Sequence, residues 1–198
     1  MYKLYGNVRS RAFRVLWMLE EIGEPYELVE AGPHHPDVLA LNTSGKIPVL
    51  VDGDAVITDS TAIITYLADK HGKLTYPAGT VDRAHQDALT HTLLDEFDSI
   101  LWTAARHNMK YLPKEHQLPE IAASSKWEFE RNLTRLAERF AGPFLQGETF
   151  TIADIVATHC LNWALVSDFP VSDKGMRTYA KEMREREGFK RAFAHLKE

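Results

Sequence analysis

Two segments place a hydroxyl group where the sequence predicts that a helix begins. Ser10 follows a short predicted strand and opens a helical pattern of apolar residues, and Asp59-Ser60 precedes a second such pattern. Because a helix N-terminus carries partial positive charge, Ser10 can either cap its helix or donate to an anion bound there. The second segment suits a carboxylate at Ser60 and an ammonium group at Asp59, which are the two charges of an α-amino acid. A plain helix cap is the alternative at both places.

A proline stands near the start of a predicted strand that covers residues 47–51. Proline lacks a backbone N–H, so a sheet accepts it only at an edge, at a bulge or at the start of a strand. A cis bond between Ile47 and Pro48 would turn the chain and leave the Ile47 backbone groups to pair with an extended peptide. An ordinary trans proline is the alternative, and these residues alone leave both open.

A fourth segment, Thr151-Ile152-Ala153-Asp154, has the spacing of a capping box with Asp in place of Glu. In such a box the two side chains bind the backbone N–H groups of the first helical turn. Asp154 lies in an apolar stretch, so we expect a structural role in which backbone N–H groups occupy its carboxylate.

The elements that must position these residues change character near residue 76. Upstream, periodicity predicts a strand, a helix, a strand, a short helix, a β-hairpin and a final helix. A β-α-β unit followed by a hairpin and a helix folds as a mixed four-stranded sheet covered by helices. Downstream almost everything has helical periodicity. The predicted helical segments are Val81–Tyr111, Ile121–Phe140, Ile152–Ser167, Gly175–Arg186 and Phe189–Lys197. We therefore predict an α/β domain at 1–76, a linker at 77–84 and an all-helical domain at 85–198.

Composition excludes several classes of protein. The 198 residues are 44% hydrophobic, which supplies a core and excludes intrinsic disorder. A net charge of -5 speaks against a nucleic-acid surface, and no apolar run has the length of a membrane span. The single cysteine, Cys160, excludes an intramolecular disulfide and a cysteine-rich zinc site, and we expect it to be buried packing. With no signal sequence visible at the N-terminus, we expect a cytoplasmic protein.

Three segments, in this order, resemble motifs of the soluble (cytosolic) glutathione S-transferases of the serine type. They are similar to the family's Asn-Pro-x-Gly-Lys-Val-Pro-x-Leu segment, its Glu-Ser-x-Ala-Ile segment and its C-terminal capping motif. The matching stretches are Leu41–Leu50, Asp59–Ile63 and Phe150–Ile155. The likeness extends over the whole chain. It implies a thioredoxin-like α/β N-terminal domain followed by an all-α C-terminal helical domain, which is the glutathione S-transferase fold.

The resemblance implies that glutathione is the co-substrate. Pro48 would be the family's cis-proline, and Ile47 would pair its backbone with the cysteinyl part of glutathione. Ser60 would bind the γ-glutamyl carboxylate and Asp59 the γ-glutamyl ammonium group. Asp59 stands where the family more often has Glu, so its shorter side chain is expected to weaken binding.

The loop before Pro48 carries the candidates for the other end of glutathione. Lys46 resembles the residue that binds the glycyl carboxylate, and His34 and His35 are weaker candidates. Thr43 stands where the family usually has proline, which is expected to make this loop less rigid. His34-His35 is also the only adjacent histidine pair, and no HExxH or comparable spacing occurs, so we expect no metal.

Ser10 resembles the catalytic serine of the serine-type classes and would donate a hydrogen bond to the glutathione thiolate. Asn7 is the other candidate donor. No cysteine lies near position 10, which speaks against the cysteine-type classes that form mixed disulfides. Arg14, four residues after Ser10, is expected to support the fold as a solvated or salt-bridged helix residue.

The implied function is transfer of glutathione to a small apolar electrophile. Trp102, His107 and Tyr111 are the candidates for the wall of the electrophile site, and the family is usually homodimeric. Two other functions stay open. One is a glutathione-dependent peroxidase or disulfide oxidoreductase acting through Asn7, and the other is a non-catalytic interaction module with a transferase-like fold.

Overall fold

The structure, a computed structural model, describes residues 1–108 and 111–196. The chain divides into two compact units. The first contains Met1–Thr80 together with the C-terminal residues from Met183 onward, and the second contains Val81–Glu182. The sequence assigned 85–198 to one helical domain, so it did not foresee that the last residues group with the first unit. The domain boundaries at 76 and 84 stay a prediction.

The first unit is built on a mixed sheet of four strands, in the order β2-β1-β3-β4. The central strand β1 is parallel to β2 and antiparallel to β3, and the hairpin partner β4 lies at the edge. The strands are β1 (Tyr2–Gly6), β2 (Tyr26–Glu30), β3 (Val49–Asp52) and β4 (Ala55–Thr58). The predicted four-stranded mixed sheet is therefore confirmed, although β3 begins two residues later than expected because Pro48 precedes it.

Four helices accompany this sheet: α1 (Ala12–Ile22), α2 (Pro36–Leu41), α3 (Ser60–His71) and α9 (Glu187–Phe193). Helix α1 is buried along almost its whole length because it packs against α3 and against α9. The rings of Phe13 and Trp17 meet Phe189 edge-on, at centroid distances of 4.9 and 5.0 Å. Helix α9 therefore covers apolar surface of α1 that the sheet and α3 leave open.

The second unit contains five α-helices and no named strand among its described residues. They are α4 (Val81–Leu93), α5 (Ser99–Asn108), α6 (Ile121–Arg139), α7 (Ile152–Val166) and α8 (Lys174–Arg184). The predicted segment 81–111 is not one helix, because a π-helical turn, Leu94–Asp98, separates α4 from α5. Its wider turn places Phe97 against Phe129 at 5.3 Å, and Asn132 Nδ2 donates to the Glu96 carbonyl at 3.0 Å. Met109, Lys110 and Lys197, which belong to predicted helical segments, lie outside the described residues.

Helix α7 is the core of the second unit and begins with the predicted capping box. Thr151 caps the helix, and Asp154 Oδ2 accepts from the Thr151 N–H at 2.8 Å. Asp154 Oδ1 accepts from the Leu145 N–H at 2.9 Å and from the Tyr179 hydroxyl at 2.8 Å. One buried carboxylate thus ties α7 to the preceding loop and to α8. None of the helices within the described residues is long and apolar enough to cross a membrane.

Candidate active site

Ser10 lies in the tight turn between β1 and α1, two residues before the first helical residue. Its Oγ accepts a hydrogen bond from the Ala12 N–H at 3.1 Å and donates one to the Asn7 carbonyl at 2.8 Å. The side chain is half-buried. The hydroxyl therefore binds the first N–H of α1 as a cap would, although Arg11 and not Ser10 is the N-cap residue. A rotation about Cβ–Oγ would redirect its proton to an anion at the helix end.

Asn7 shapes the same turn. Its Oδ1 accepts from the Arg9 N–H at 3.1 Å, and its Nδ2 donates to the Ala31 carbonyl at 3.4 Å. The hydrogen bond from Asn7 Nδ2 is long and therefore weak, so this N–H₂ group could donate to another acceptor instead. Tyr5, the nearby strand residue, packs its ring against the buried cluster of Ala31, Val38 and Val49. Asn7 is therefore better placed than Tyr5 as the second candidate donor.

Gly6 allows this turn to lie directly against the neighbouring elements. A Cβ at position 6 would stand 2.4 Å from the Ala12 Cβ and 3.9 Å from the Pro48 Cα. The first distance is well below van der Waals contact, so only glycine fits here. The start of α1, directly after Ser10, is thereby brought next to the loop that contains Pro48.

We expect Gly6→Ala to destabilise the first unit by about 1–3 kcal/mol, because the new methyl group must push α1 away from β1. The free energy of unfolding in urea measures this loss. Gly32→Ala is the matched control, since a Cβ there would have no atom within 4 Å. Equal stability of the two variants would contradict the close approach.

The peptide bond between Ile47 and Pro48 is cis, as the resemblance implies. Ile47 lies just before β3, which pairs from Val49 onward with β1 and β4. Within residues 1–108 and 111–196, neither the backbone N–H nor the C=O of Ile47 has a hydrogen-bond partner. These two groups are therefore available to an extended peptide that lies alongside.

Asp59 and Ser60 form the N-terminus of α3 and have different roles there. Asp59 has a positive φ of 70° and is the N-cap, and its Oδ1 accepts from the N–H groups of Thr61 and Ala62 at 2.9 and 3.0 Å. Its other carboxylate oxygen is the one that could meet an ammonium group. Ser60 is buried, with 3% of its surface exposed, and its Oγ accepts from Arg14 Nη1 at 3.3 Å.

The loop with Lys46, His34 and His35 is held by its own polar contacts. His34 donates its backbone N–H to the Gly45 carbonyl at 2.8 Å. A Cβ added at position 45 would stand only 2.1 Å from Nδ1 of His34, so the imidazole ring lies directly against Gly45. His34 therefore sits against the residue next to Lys46, and both side chains are exposed. His35 instead caps α2, because its Nδ1 accepts from the Asp37 N–H at 3.3 Å.

The predicted electrophile residues lie in the second unit. The rings of Trp102 and Tyr111 are in contact at a centroid distance of 5.2 Å, so the structure brings these two together. Arg106 lies over the Trp102 ring at 5.8 Å. His107 makes a different contact, since its Nδ1 accepts from the Leu118 N–H at 3.1 Å.

Cys160 is buried, as expected. The described residues contain one group of three ligand-type side chains: the donor atoms of Asp98, His159 and Cys160 all lie within 4.8 Å of one another. A search for histidine pairs in sequence cannot find this group, because the π-helical turn brings Asp98 to α7. The absence of a metal stays a prediction.

The comparisons with known proteins agree with this geometry. The family model "Glutathione S-transferase, N-terminal domain" matches residues 9–70. Glutathione S-transferase F13 of Arabidopsis thaliana is 30% identical over 174 residues, with coverage of 77% of this chain and 75% of that protein. The chain belongs to the glutathione S-transferase family. A further relative is glutathione S-transferase GstB of Escherichia coli K12, which is 31% identical over 169 residues, with coverage of 78% of this chain and 79% of that protein.

Solved structures with the same fold cover almost the whole chain. Gtt2 of Saccharomyces cerevisiae superposes with a TM-score of 0.84 at 20% identity, over 96% of this chain and 99% of that one. BphK, a bacterial glutathione S-transferase, superposes with a TM-score of 0.86 at 21% identity, over 97% and 98%. The thioredoxin-like sheet followed by a helical domain is therefore confirmed.

The structure corrects one part of the expectation for Arg14. The side chain is fully buried, with 0% exposed, and donates to Ser60, so of the two expected alternatives the solvated one is wrong, while the salt-bridged one stays a prediction. The signal was present in the sequence. Arg14 is the only charged residue between Ala12 and Leu19, and a helix that is apolar on all sides is buried on all sides.

Proposed function

We propose that this chain is a glutathione transferase. It binds glutathione on the first unit, holds the sulfur as a thiolate and promotes attack of that thiolate on a small apolar electrophile. One arrangement carries the proposal. The Ser10 helix end, the Ile47 backbone and the Ser60 helix end belong to elements that pack on one another through Gly6 and Arg14. Membership of the family supports this proposal.

The peptide part of glutathione matches the groups that these elements offer. The Ile47 N–H and C=O pair with the cysteinyl backbone as a strand would. The Ser60 hydroxyl and the N-terminus of α3 donate hydrogen bonds to the γ-glutamyl carboxylate, and the outer oxygen of Asp59 accepts from the γ-glutamyl ammonium group. The first oxygen of Asp59 is already bound by two N–H groups, so only one oxygen serves the ligand.

The thiolate requires little from the protein. A free thiol with a pKa of about 8.5 is only about 3% ionised at pH 7, and lowering that pKa by about two units takes about 2.7 kcal/mol. A hydrogen bond to a charged acceptor contributes roughly 1.5–3 kcal/mol, and a helix N-terminus roughly 0.3–1 kcal/mol. On binding, the Ser10 hydroxyl gives up its hydrogen bond to the Asn7 carbonyl, a neutral acceptor, and donates to the charged sulfur instead. No general base is required.

For the second substrate we propose the aromatic pair of Trp102 and Tyr111, with His107 as a third candidate. Tyr111 is 59% exposed, so its ring offers apolar surface to a ligand. The domain boundaries at 76 and 84, the homodimer and the cytoplasmic location are also proposals, supported by the family. A sedimentation mass of one chain would contradict the dimer.

The deciding experiment measures conjugation of glutathione to a chloronitrobenzene-type electrophile by the intact protein. The proposal requires turnover that depends on both enzyme and glutathione. If the protein turns over no electrophile and no peroxide in the presence of glutathione, the proposal is wrong. Peroxide activity that survives Ser10→Ala would instead favour the oxidoreductase function through Asn7.

We expect Lys46→Gln to raise the KM for glutathione about three- to tenfold and to leave kcat nearly unchanged, because an exposed charge contributes uniform binding. The difference from wild type should shrink at high salt, since exposed charges are screened. Steady-state kinetics at low and high ionic strength measure both effects. Lys3→Gln, at an exposed lysine paired with Glu27, is the matched control. An unchanged KM would remove Lys46 from the site.

A further inference from the structure

A buried arginine lies directly behind the proposed carboxylate site. Arg14 belongs to α1 and has no exposed surface, and its Nη1 donates to the Oγ of Ser60, at the start of α3, over 3.3 Å. Ser60 itself is only 3% exposed. This contact joins the two helices whose N-termini carry Ser10 and Ser60.

The chemistry of the two side chains fixes the direction of this hydrogen bond. A guanidinium group has five N–H donors and no acceptor, and it stays protonated at every relevant pH. A serine hydroxyl can both accept and donate. Because Arg14 can only donate, Ser60 Oγ must accept from it, and the single Ser60 O–H proton must be donated elsewhere.

That proton has no acceptor within residues 1–108 and 111–196. The backbone N–H of Ser60 is the first of α3 and has no partner inside the helix. Asp59 uses the next two N–H groups, those of Thr61 and Ala62. Ser60 is thus left with one O–H and one N–H donor, which suit the two oxygens of a carboxylate.

We propose that Arg14 is a positioning residue that holds the Ser60 hydroxyl as a donor and so makes this site selective for a charged carboxylate over a neutral amide. The inference rests on the proposed binding of the γ-glutamyl group there. The buried positive charge of Arg14 attracts the carboxylate directly. The fixed O–H and N–H donors of Ser60 suit two carboxylate oxygens, whereas an amide offers them only one oxygen and turns its N–H₂ toward a donor.

The test compares two ligands by calorimetry: glutathione, and glutathione whose γ-glutamyl α-carboxylate is converted to the primary amide. We expect the wild-type protein to prefer the carboxylate form by about a hundredfold, as a site with fixed donors does. In Arg14→Gln the amide side chain can accept from Ser60, so the hydroxyl can turn. The preference should then fall to about tenfold or less. The KM for glutathione should rise while kcat changes little.

Further variants separate this role from a merely structural one. Arg14→Lys, which can also only donate, should keep most of the preference. Arg9→Gln removes an exposed charge from the same turn and should change nothing. In a Ser60→Ala background, Arg14→Gln should cause a much smaller loss of preference, because the hydroxyl that it orients is gone.

The outcomes distinguish this inference from the proposed function. If the wild-type protein binds neither ligand, the proposed function is wrong. If it binds glutathione but Arg14→Gln keeps the full preference for the carboxylate, the positioning role is wrong. Should Arg14→Gln fail to fold, the Arg14→Lys and Ser60→Ala proteins decide. Loss of the preference in Ser60→Ala with retention in Arg14→Lys supports the inference, and any other pattern overturns it.

Discussion

Ser10→Ala is expected to lower kcat/KM for glutathione conjugation by about 10- to 100-fold at pH 7. The substitution removes a hydrogen bond to a charged sulfur, which contributes roughly 1.5–3 kcal/mol. The pKa of the bound glutathione thiol should rise by about one to two units for the same reason. Thiolate absorbance of the binary complex across a pH series measures this pKa without any electrophile.

Ser10→Thr is the matched control, because it keeps a hydroxyl at the same position. It should retain most of the activity and the lowered thiol pKa. Ser10→Ala also removes the acceptor of the Ala12 N–H, which is expected to cost about 1 kcal/mol of stability. Thermal unfolding of both variants separates this small loss from the catalytic one.

Asn7→Ala decides between the two candidate donors. If Ser10 is the donor, Asn7→Ala loosens the turn, since the Arg9 N–H loses its acceptor, and the thiol pKa stays low. A thiol pKa that is unchanged in Ser10→Ala and raised in Asn7→Ala would contradict the role given to Ser10.

Asp154→Asn is expected to destabilise the protein by about 3–5 kcal/mol, a large part of the 5–15 kcal/mol typical of folded domains. The carboxylate is fully buried and accepts from two backbone N–H groups and the Tyr179 hydroxyl. Burial raises the pKa of Asp154, while these donors act in the opposite direction. An asparagine has one acceptor oxygen, and its N–H₂ would face a donor.

Denaturant unfolding of the whole chain measures this loss. Asp173→Asn is the matched control, because Asp173 also accepts from a backbone N–H near a helix start, that of Met176 at 2.8 Å, and it is only half-buried. We expect a cost of about 1 kcal/mol there. Equal effects of the two substitutions would show that the Asp154 carboxylate does not tie the capping box together.

Local signals were sufficient for the elements of the first unit. Strand β4, the ends of α1 and α3, and the order of helices and strands all follow from hydrophobic period, turn residues and caps. These depend on neighbours a few residues away. The capping box at Thr151 was equally clear, because both of its partners lie within four residues.

Contacts between distant residues were not accessible in the same way. The break between α4 and α5 follows from the packing of Phe97 against Phe129, 32 residues later in the printed sequence, and not from any local pattern. The docking of α9 on α1 joins residues near 190 to residues near 15, so periodicity showed a helix and not its location.

The sequence by itself determined the fold class, the two helix starts that carry Ser10 and Ser60 and the candidate cis-proline, because each is a matter of local backbone chemistry. Tertiary structure alone decided that Arg14 lies behind Ser60, that Gly6 brings Ala12 close to Pro48 and that Trp102 meets Tyr111. The physical reason is how far apart in the sequence the interacting residues lie. A cap or a turn is stabilised by its immediate neighbours, whereas a binding site depends on the direction of hydrogen bonds and the closeness of side chains that only packing brings together.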